Sequence, residues 1–242
     1  MFYLNNKNKR KEPFLTSDSK FALAVAAVAI LLFGAIVFFA KSDDTEIKDA
    51  PKDAPIVFET ETQATIGEES APVEVVEFFD FQCPHCQDWS ADVFPGLKEK
   101  FIDTGKIKFT SINFPFLGPE SDLAALMFET INGKINSEKA FEFKEKFLVA
   151  AKANDKNNGN AFSDKNLLSI SKDLLEEDEF AKFEKSFKDK EFKDSVSSDN
   201  DIAVESGVQG TPSIYINGVY FEAGMDPNSL YKELELLTNE QK

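Results

Sequence analysis

Cys83 and Cys86 are the only cysteines of this chain, and they stand two residues apart in Cys83-Pro84-His85-Cys86 beside its only histidine. A pair so spaced can hold a metal, close an inert staple, or exchange electrons with the sulfur of another protein. Its surroundings limit what the chain can fold into. Upstream, Val73-Glu74-Val75-Val76-Glu77-Phe78-Phe79-Asp80-Phe81 is rich in valine and phenylalanine and reads as a strand. Downstream, Trp89, Val93, Leu97 and Phe101 recur at helical spacing, which predicts one helix over Asp88 to Phe101. The motif therefore sits where a strand hands over to a helix, with Cys83 at or just before the helix N-terminus and Cys86 in the first turn.

That position suits thiol chemistry. The thiolate is the form that attacks a disulfide, and the unpaired N–H groups at a helix start favour negative charge. The dipole contributes about 0.3–1 kcal/mol, up to about 2 when partly buried, which is near one pKa unit. A strongly acidic thiol needs more, from hydrogen bonds and a polar or cationic neighbour, and His85 is the neighbour the motif supplies. A stabilised Cys83 thiolate favours the reduced form, so the disulfide becomes the stronger oxidant. The metal reading offers at most three ligands, where structural zinc wants four. A structural disulfide here would close too short a loop to add much stability. No metal and no cofactor is expected.

Glu77-Phe78-Phe79-Asp80-Phe81-Gln82-Cys83-Pro84-His85-Cys86 resembles the active-site segment of the DsbA-like thiol–disulfide oxidoreductases. Gly207-Val208-Gln209-Gly210-Thr211-Pro212-Ser213-Ile214-Tyr215-Ile216-Asn217-Gly218 is similar to the cis-proline loop of that family and the hairpin after it. The resemblance runs from about Ile66 to Leu237. It implies an α/β, thioredoxin-like fold with a helical insertion at about 117–200 inside a domain at 66–242. It implies a Cys83–Cys86 redox pair flanked by Pro84 and His85, with Thr211 and a cis Pro212 beside Cys83 as the substrate-binding edge. The family carries a buried acid six residues before its first cysteine, and Glu77 holds that position. Strand alternation sets Glu77 on the face of Val75 and Phe79, an apolar setting for a carboxyl that relays a proton to Cys86. The implied activity is disulfide formation in exported proteins with reduced cysteines. A membrane-anchored reductase or isomerase, or a non-catalytic module binding exported chains or metal, is the alternative. The implied redox partner is a quinone-linked membrane protein that reoxidises the pair.

The N-terminus adds a location. Residues 1–20 carry five basic and two acidic side chains, and Phe21 to Ala40 is apolar without a charge. Twenty helical residues span about 30 Å, the thickness of a bilayer core. The run is longer than the apolar part of a usual cleaved signal, so a single-pass signal-anchor at 21–40 is expected, preceded by a cytoplasmic tail. Basic flanks stay cytoplasmic, which places the catalytic domain outside the cell membrane, where disulfides persist. Residues 41–65 read as a linker rich in acidic residues and proline. With 43 acidic against 27 basic residues and a net charge of −16, nucleic acid is excluded as a natural partner.

The remaining elements follow from patterning. Ile56-Val57-Phe58 reads as a first edge strand and Lys106 to Phe114 as a second core strand. Helical stripes pass through Leu123 to Ile131, Phe141 to Ala151, Leu167 to Leu175 behind a Ser163 cap, and Phe180 to Phe187. Asn217-Gly218 predicts a type I′ hairpin. Asp226-Pro227 opens a last helix lined by Leu230, Leu234 and Leu237.

Overall fold

The computed structural model describes residues 55–154 and 162–239. The basic tail, the apolar run at 21–40 and the linker as far as residue 54 lie outside the described residues. Among the described residues no helix is long and apolar enough to cross a membrane.

Among the described residues, five strands form one sheet in the order β1-β3-β2-β4-β5. They are β1 (Ala64–Ile66), β2 (Val73–Phe79), β3 (Ile107–Asn113), β4 (Ser213–Ile216) and β5 (Val219–Tyr220). Only β2 and β3 run parallel, with Glu77 opposite Ser111, and the other neighbours pair antiparallel. The two central strands are buried over most of their length because helices cover both faces. Val75 and Phe79 face the larger core with Trp89, Phe109, Phe128, Phe141 and Phe147. Val76 and Phe78, one residue out of phase, face a smaller cluster with Phe58, Ile112, Ala203 and Tyr215.

Ile56–Phe58 is not a strand. Ile56 makes one backbone bond to the hairpin, N–H to Gly218 O at 2.8 Å, and Phe58 packs edge-on against Phe78 and Tyr215. The first strand is Ala64–Ile66 instead, so the folded unit reaches back before residue 66 and takes up the end of the expected linker. The hairpin stands as the sequence predicts: Asn217 and Gly218 hold φ of 49° and 79°, as a type I′ turn requires.

The single helix expected over Asp88–Phe101 is broken. Helix α1 (Pro84–Asp92) ends where Val93 N–H closes on Trp89 O at 2.8 Å. A short α2 (Phe94–Leu97) and a π-helical turn at Lys98–Ile102 carry the chain on. Pro95 explains the break, because it has no N–H for the preceding turn and its ring crowds the carbonyl there. Trp89, Val93, Leu97 and Phe101 are nonetheless all buried, so the stripe serves the core across the kink.

The insertion between β3 and β4 is helical throughout its described part: α3 (Pro119–Lys134), α4 (Ser137–Asn154), α5 (Asp164–Leu174), α6 (Glu177–Lys188) and α7 (Lys193–Glu205). Ser163 caps α5 as expected, its Oγ accepting from Asn166 N–H at 3.3 Å. Helix α7 runs past residue 200, where the insertion was expected to end, and stops at Gly207, whose φ of 71° a glycine adopts freely. The last helix, α8 (Pro227–Asn239), starts under Asp226, which accepts from Ser229 N–H at 2.9 Å. Helix α4 lies against α1 and β1, and through that packing it reaches the functional site.

Candidate active site

Strand β2 delivers the chain to the motif, and a turn organised by one carboxylate holds it there. Asp80, 1% exposed, accepts from Gln82 N–H at 2.7 Å, Ser121 Oγ at 2.6 Å, and the N–H groups of Phe116 and Leu117 at 3.0 and 3.1 Å. The loop after β3 and the start of α3 are thereby tied to the approach to Cys83. Four donors on one buried acid compensate its loss of water.

Cys83 is the N-cap residue of α1, with extended φ and ψ of −69° and 117°. Pro84 follows at the first helical position, where no N–H is needed. Cys83 is 5% exposed and Cys86 is fully enclosed, while Pro84 and His85 face solvent. Both cysteines are thiols. The Thr211–Pro212 peptide is cis, and Cys83 Sγ donates to Thr211 O at 3.2 Å. Segments 128 residues apart in sequence thus meet at one sulfur.

The two thiols are driven apart in acidity. The Cys86 thiol, by hydrogen bonding to Cys83, lowers the Cys83 pKa to about 6 against the cost of burial, and Thr211 and the backbone N–H groups of Cys86 and His85 add to the effect. Thr211 Oγ1 is buried without a partner beside the neutral thiol, a donor held ready for the thiolate. Burial pushes the Cys86 thiol well above its ordinary value, and the charges of Cys83 and Glu77 push it further. The leading donor to Cys83 is Cys86, and His85 adds through its backbone N–H.

Glu77 is buried, as its strand position implies, but its setting is not simply apolar. Lys144 of α4, also fully buried, reaches Glu77 Oε2 at 2.5 Å, and Ser111 Oγ of β3 donates to the same oxygen at 3.0 Å. The Lys144 ammonium is enclosed by aromatic rings, 4.6 Å from the centre of Phe79 and 5.5 Å from Phe94 and Phe141. Burial works against its charge, but the Glu77 and Glu145 carboxylates outweigh that and hold its pKa above the usual lysine value. Sequence patterning missed Lys144, yet it lies three residues from both Phe141 and Phe147, on the apolar stripe of α4. Asp80, Ser111 and Glu145 were missed as well.

A second buried polar group lies at the end of β3. Asn113 Nδ2 donates to Glu129 Oε1 at 2.8 Å and Asp199 Oδ2 at 3.0 Å, and Gln63 Nε2 donates to Asp199 Oδ1 at 2.8 Å. Burial raises both carboxyl pKa values, Asp199 to about 6, and the charge of Asp199 adds to the rise at Glu129. Among the described residues no group of three or more His, Cys, Asp or Glu side chains is placed to hold a metal ion.

A family profile described as Thioredoxin matches residues 59–235. Probable disulfide bond formation protein D of Bacillus anthracis is 36% identical over 222 residues, covering 91% of this chain and 97% of that protein. Disulfide bond formation protein D of Bacillus subtilis is 31% identical over 178 residues, covering 72% and 76%. The crystal structure of oxidised BdbD from Bacillus subtilis aligns with a TM-score of 0.65 at 26% identity, covering 77% of this chain and 98% of that one. Fold and site together define a thiol–disulfide oxidoreductase built on a thioredoxin fold. Within that class the chain belongs to the DsbA-like family of disulfide oxidoreductases.

Proposed function

We propose that this enzyme introduces disulfides into exported proteins from the outer side of the cell membrane, held there by a helix at residues 21–40. The observation that carries the direction of transfer is the acidity of Cys83, about 6, set by the Cys86 thiol and Thr211. A sulfur content as the anion leaves readily and favours the reduced enzyme, so the oxidised pair gives its disulfide away. The names of the Bacillus relatives, disulfide bond formation proteins, support the same reading.

In the proposed cycle a substrate thiolate attacks Cys83 Sγ of the oxidised pair. The bond to the substrate forms, the Cys83–Cys86 bond breaks, and its electron pair stays on Cys86, which takes a proton. A second substrate thiolate then attacks the substrate sulfur, and Cys83 leaves as the thiolate. Glu77 relays the proton, Pro84 and His85 shape the exposed rim, and Thr211 and Pro212 present the edge along which an extended chain lies. A quinone-linked membrane protein reoxidises the pair.

The test is disulfide transfer by the purified, oxidised full-length enzyme to a reduced, unfolded protein that regains activity only when its disulfides form. Stoichiometric loss of substrate thiols with regain of activity is expected. An enzyme whose pair stays reduced in equilibrium with a glutathione buffer at endoplasmic-reticulum poise, about −180 to −210 mV, will behave as the oxidant proposed. One that is held oxidised by that buffer is a reductase, and the proposal is wrong.

A further inference from the structure

The proton for Cys86 has to come from somewhere, because that sulfur is fully enclosed. Glu77 and Lys144 are also fully enclosed, so neither exchanges a proton with water by itself. The side chain next in line is Glu145. Its Oε1 lies 3.4 Å from Lys144 Nζ, Ser90 Oγ of α1 donates to its Oε2, and its side chain is 19% exposed. Glu145 and Ser90 both open into a groove of about 990 Å³ between α4 and the kinked α1–α2 segment. From the resolving sulfur outward, the order is Cys86, Glu77, Lys144, Glu145, groove.

We infer that Glu145 is the outer station of a proton route to Cys86, and that the route opens into the groove between α1 and α4 rather than at the Cys83 surface. The inference rests on the oxidoreductase cycle proposed above and assigns the supply of its proton. When the Cys83–Cys86 bond breaks, the electron pair stays on Cys86 Sγ. Glu77 passes a proton to that sulfur, Lys144 passes one to Glu77, and Glu145 passes one to Lys144. The net change is Cys86 thiolate plus Glu145 carboxylic acid to Cys86 thiol plus Glu145 carboxylate. The Glu77–Lys144 pair ends as it began, and water in the groove reprotonates Glu145. No other reactant is needed. Glu145 touches no substrate, so it is a positioning residue that acts through Lys144 and Glu77.

Three observations support this path. The charges of Glu77 and Lys144 are felt along it: Glu77 acts on Cys86, and Cys86 acts on Lys144. Glu145 Oε1 is buried with no hydrogen-bond partner, so an acceptor position is left open at the point of transfer. Burial pushes the Glu145 carboxyl up to about 7, against Lys144 and Ser90, so that it carries and loses a proton near neutral pH. The other charged groups on the groove are Glu68, Lys98, Asp103, Glu138, Glu142 and Lys146. Of these, Lys98 is engaged by Asp103.

The experiment uses oxidised full-length enzyme in detergent and reduced glutathione as the attacking thiol. The release of Cys86 is followed by stopped-flow fluorescence of Trp89, the single tryptophan, three residues from that cysteine. Rates are expressed per glutathione thiolate between pH 5 and 9. The wild type is expected to slow above a break near pH 7. Glu145→Gln has no proton to give, so it should lose the break and react at pH 6 about a hundredfold or more slowly, the lower end of general-acid help. Glu145→Asp should restore the break. Ser90→Ala removes a hydrogen bond that stabilises the carboxylate, so it should move the break to higher pH. If Glu145→Gln fails to fold, Ser90→Ala decides: a break left where the wild type has it overturns the route. A folded Glu145→Gln enzyme with the wild-type break and rate overturns it directly. A wild type that leaves glutathione unoxidised at every pH overturns the oxidoreductase cycle instead, and the route falls with it.

Discussion

A sulfur atom at a helix start gains about one pKa unit from the dipole, and Cys83 goes well beyond that, to about 6. The difference comes from atoms that point at it: the Cys86 thiol first, then Thr211 and two backbone N–H groups. Ultraviolet titration of the reduced enzyme should therefore show a thiolate midpoint near 6. In Cys86→Ala it should move upward, because the strongest donor is gone. The same shift ties stability to pH. The folded pKa lies below the ordinary thiol value of 9.0, so the unfolded chain holds a proton that the folded chain has released. The stabilisation is complete above the unfolded value and disappears as pH falls through 6. Denaturant unfolding of reduced against oxidised enzyme should show the reduced form gaining stability from pH 6 to 8 while the oxidised form lacks that gain. The motif announced the reactive sulfur, but the origin of its acidity was not legible. His85 was the neighbour that the motif itself supplied, whereas the leading contributions come from the partner thiol and from a threonine on a loop distant in sequence.

Elements show why the proton machinery was hidden. Helix α4 was readable from its phenylalanines, and Lys144 lay among them, but a lysine on an apolar stripe gains meaning only when an acid waits opposite. That acid is on β2, 67 residues earlier. Removing one partner of such a buried pair typically costs about 3–5 kcal/mol. The kink after α1 was equally unreadable from periodicity, since the apolar spacing continues unbroken across it. The proline was the available sign. Helix α8 holds the kink in place: Tyr231 Oη donates to Val93 O at 2.6 Å, and Gly96 leaves room for that ring. A Cβ at position 96 would sit 2.3 Å from Tyr231 Oη. Gly96→Ala should thus lower stability by about 1–3 kcal/mol, as overpacking does. Tyr231→Phe should cost about 0.5–1.5 kcal/mol, one hydrogen bond. Urea unfolding of the two single variants and the double variant checks this; the double should fall short of the sum, because the hydroxyl that clashes is absent.

At the scale of the whole chain, the thioredoxin-like fold, its helical insertion and the meeting of Cys83 with the cis Pro212 loop were legible, because two distant motifs agreed on one fold. The N-terminal boundary was not: Gln63 looks like a linker residue and Phe58 like part of an edge strand, and only the partners they meet, Asp199 for the one and Phe78 and Tyr215 for the other, show how they join the folded unit. The proposed anchor makes a simple prediction. The full chain expressed in bacteria should sediment with membranes and resist extraction by carbonate, and a chain lacking residues 1–40 should not. Recovery of the intact chain in the soluble fraction would remove the anchor. One further consequence follows from burial. Cys83 is barely open to the outside and Cys86 is closed to it. Client and regenerator must therefore use the same narrow doorway, one after the other. Kinetics should alternate strictly, and an excess of clients will starve the enzyme of its own recharging.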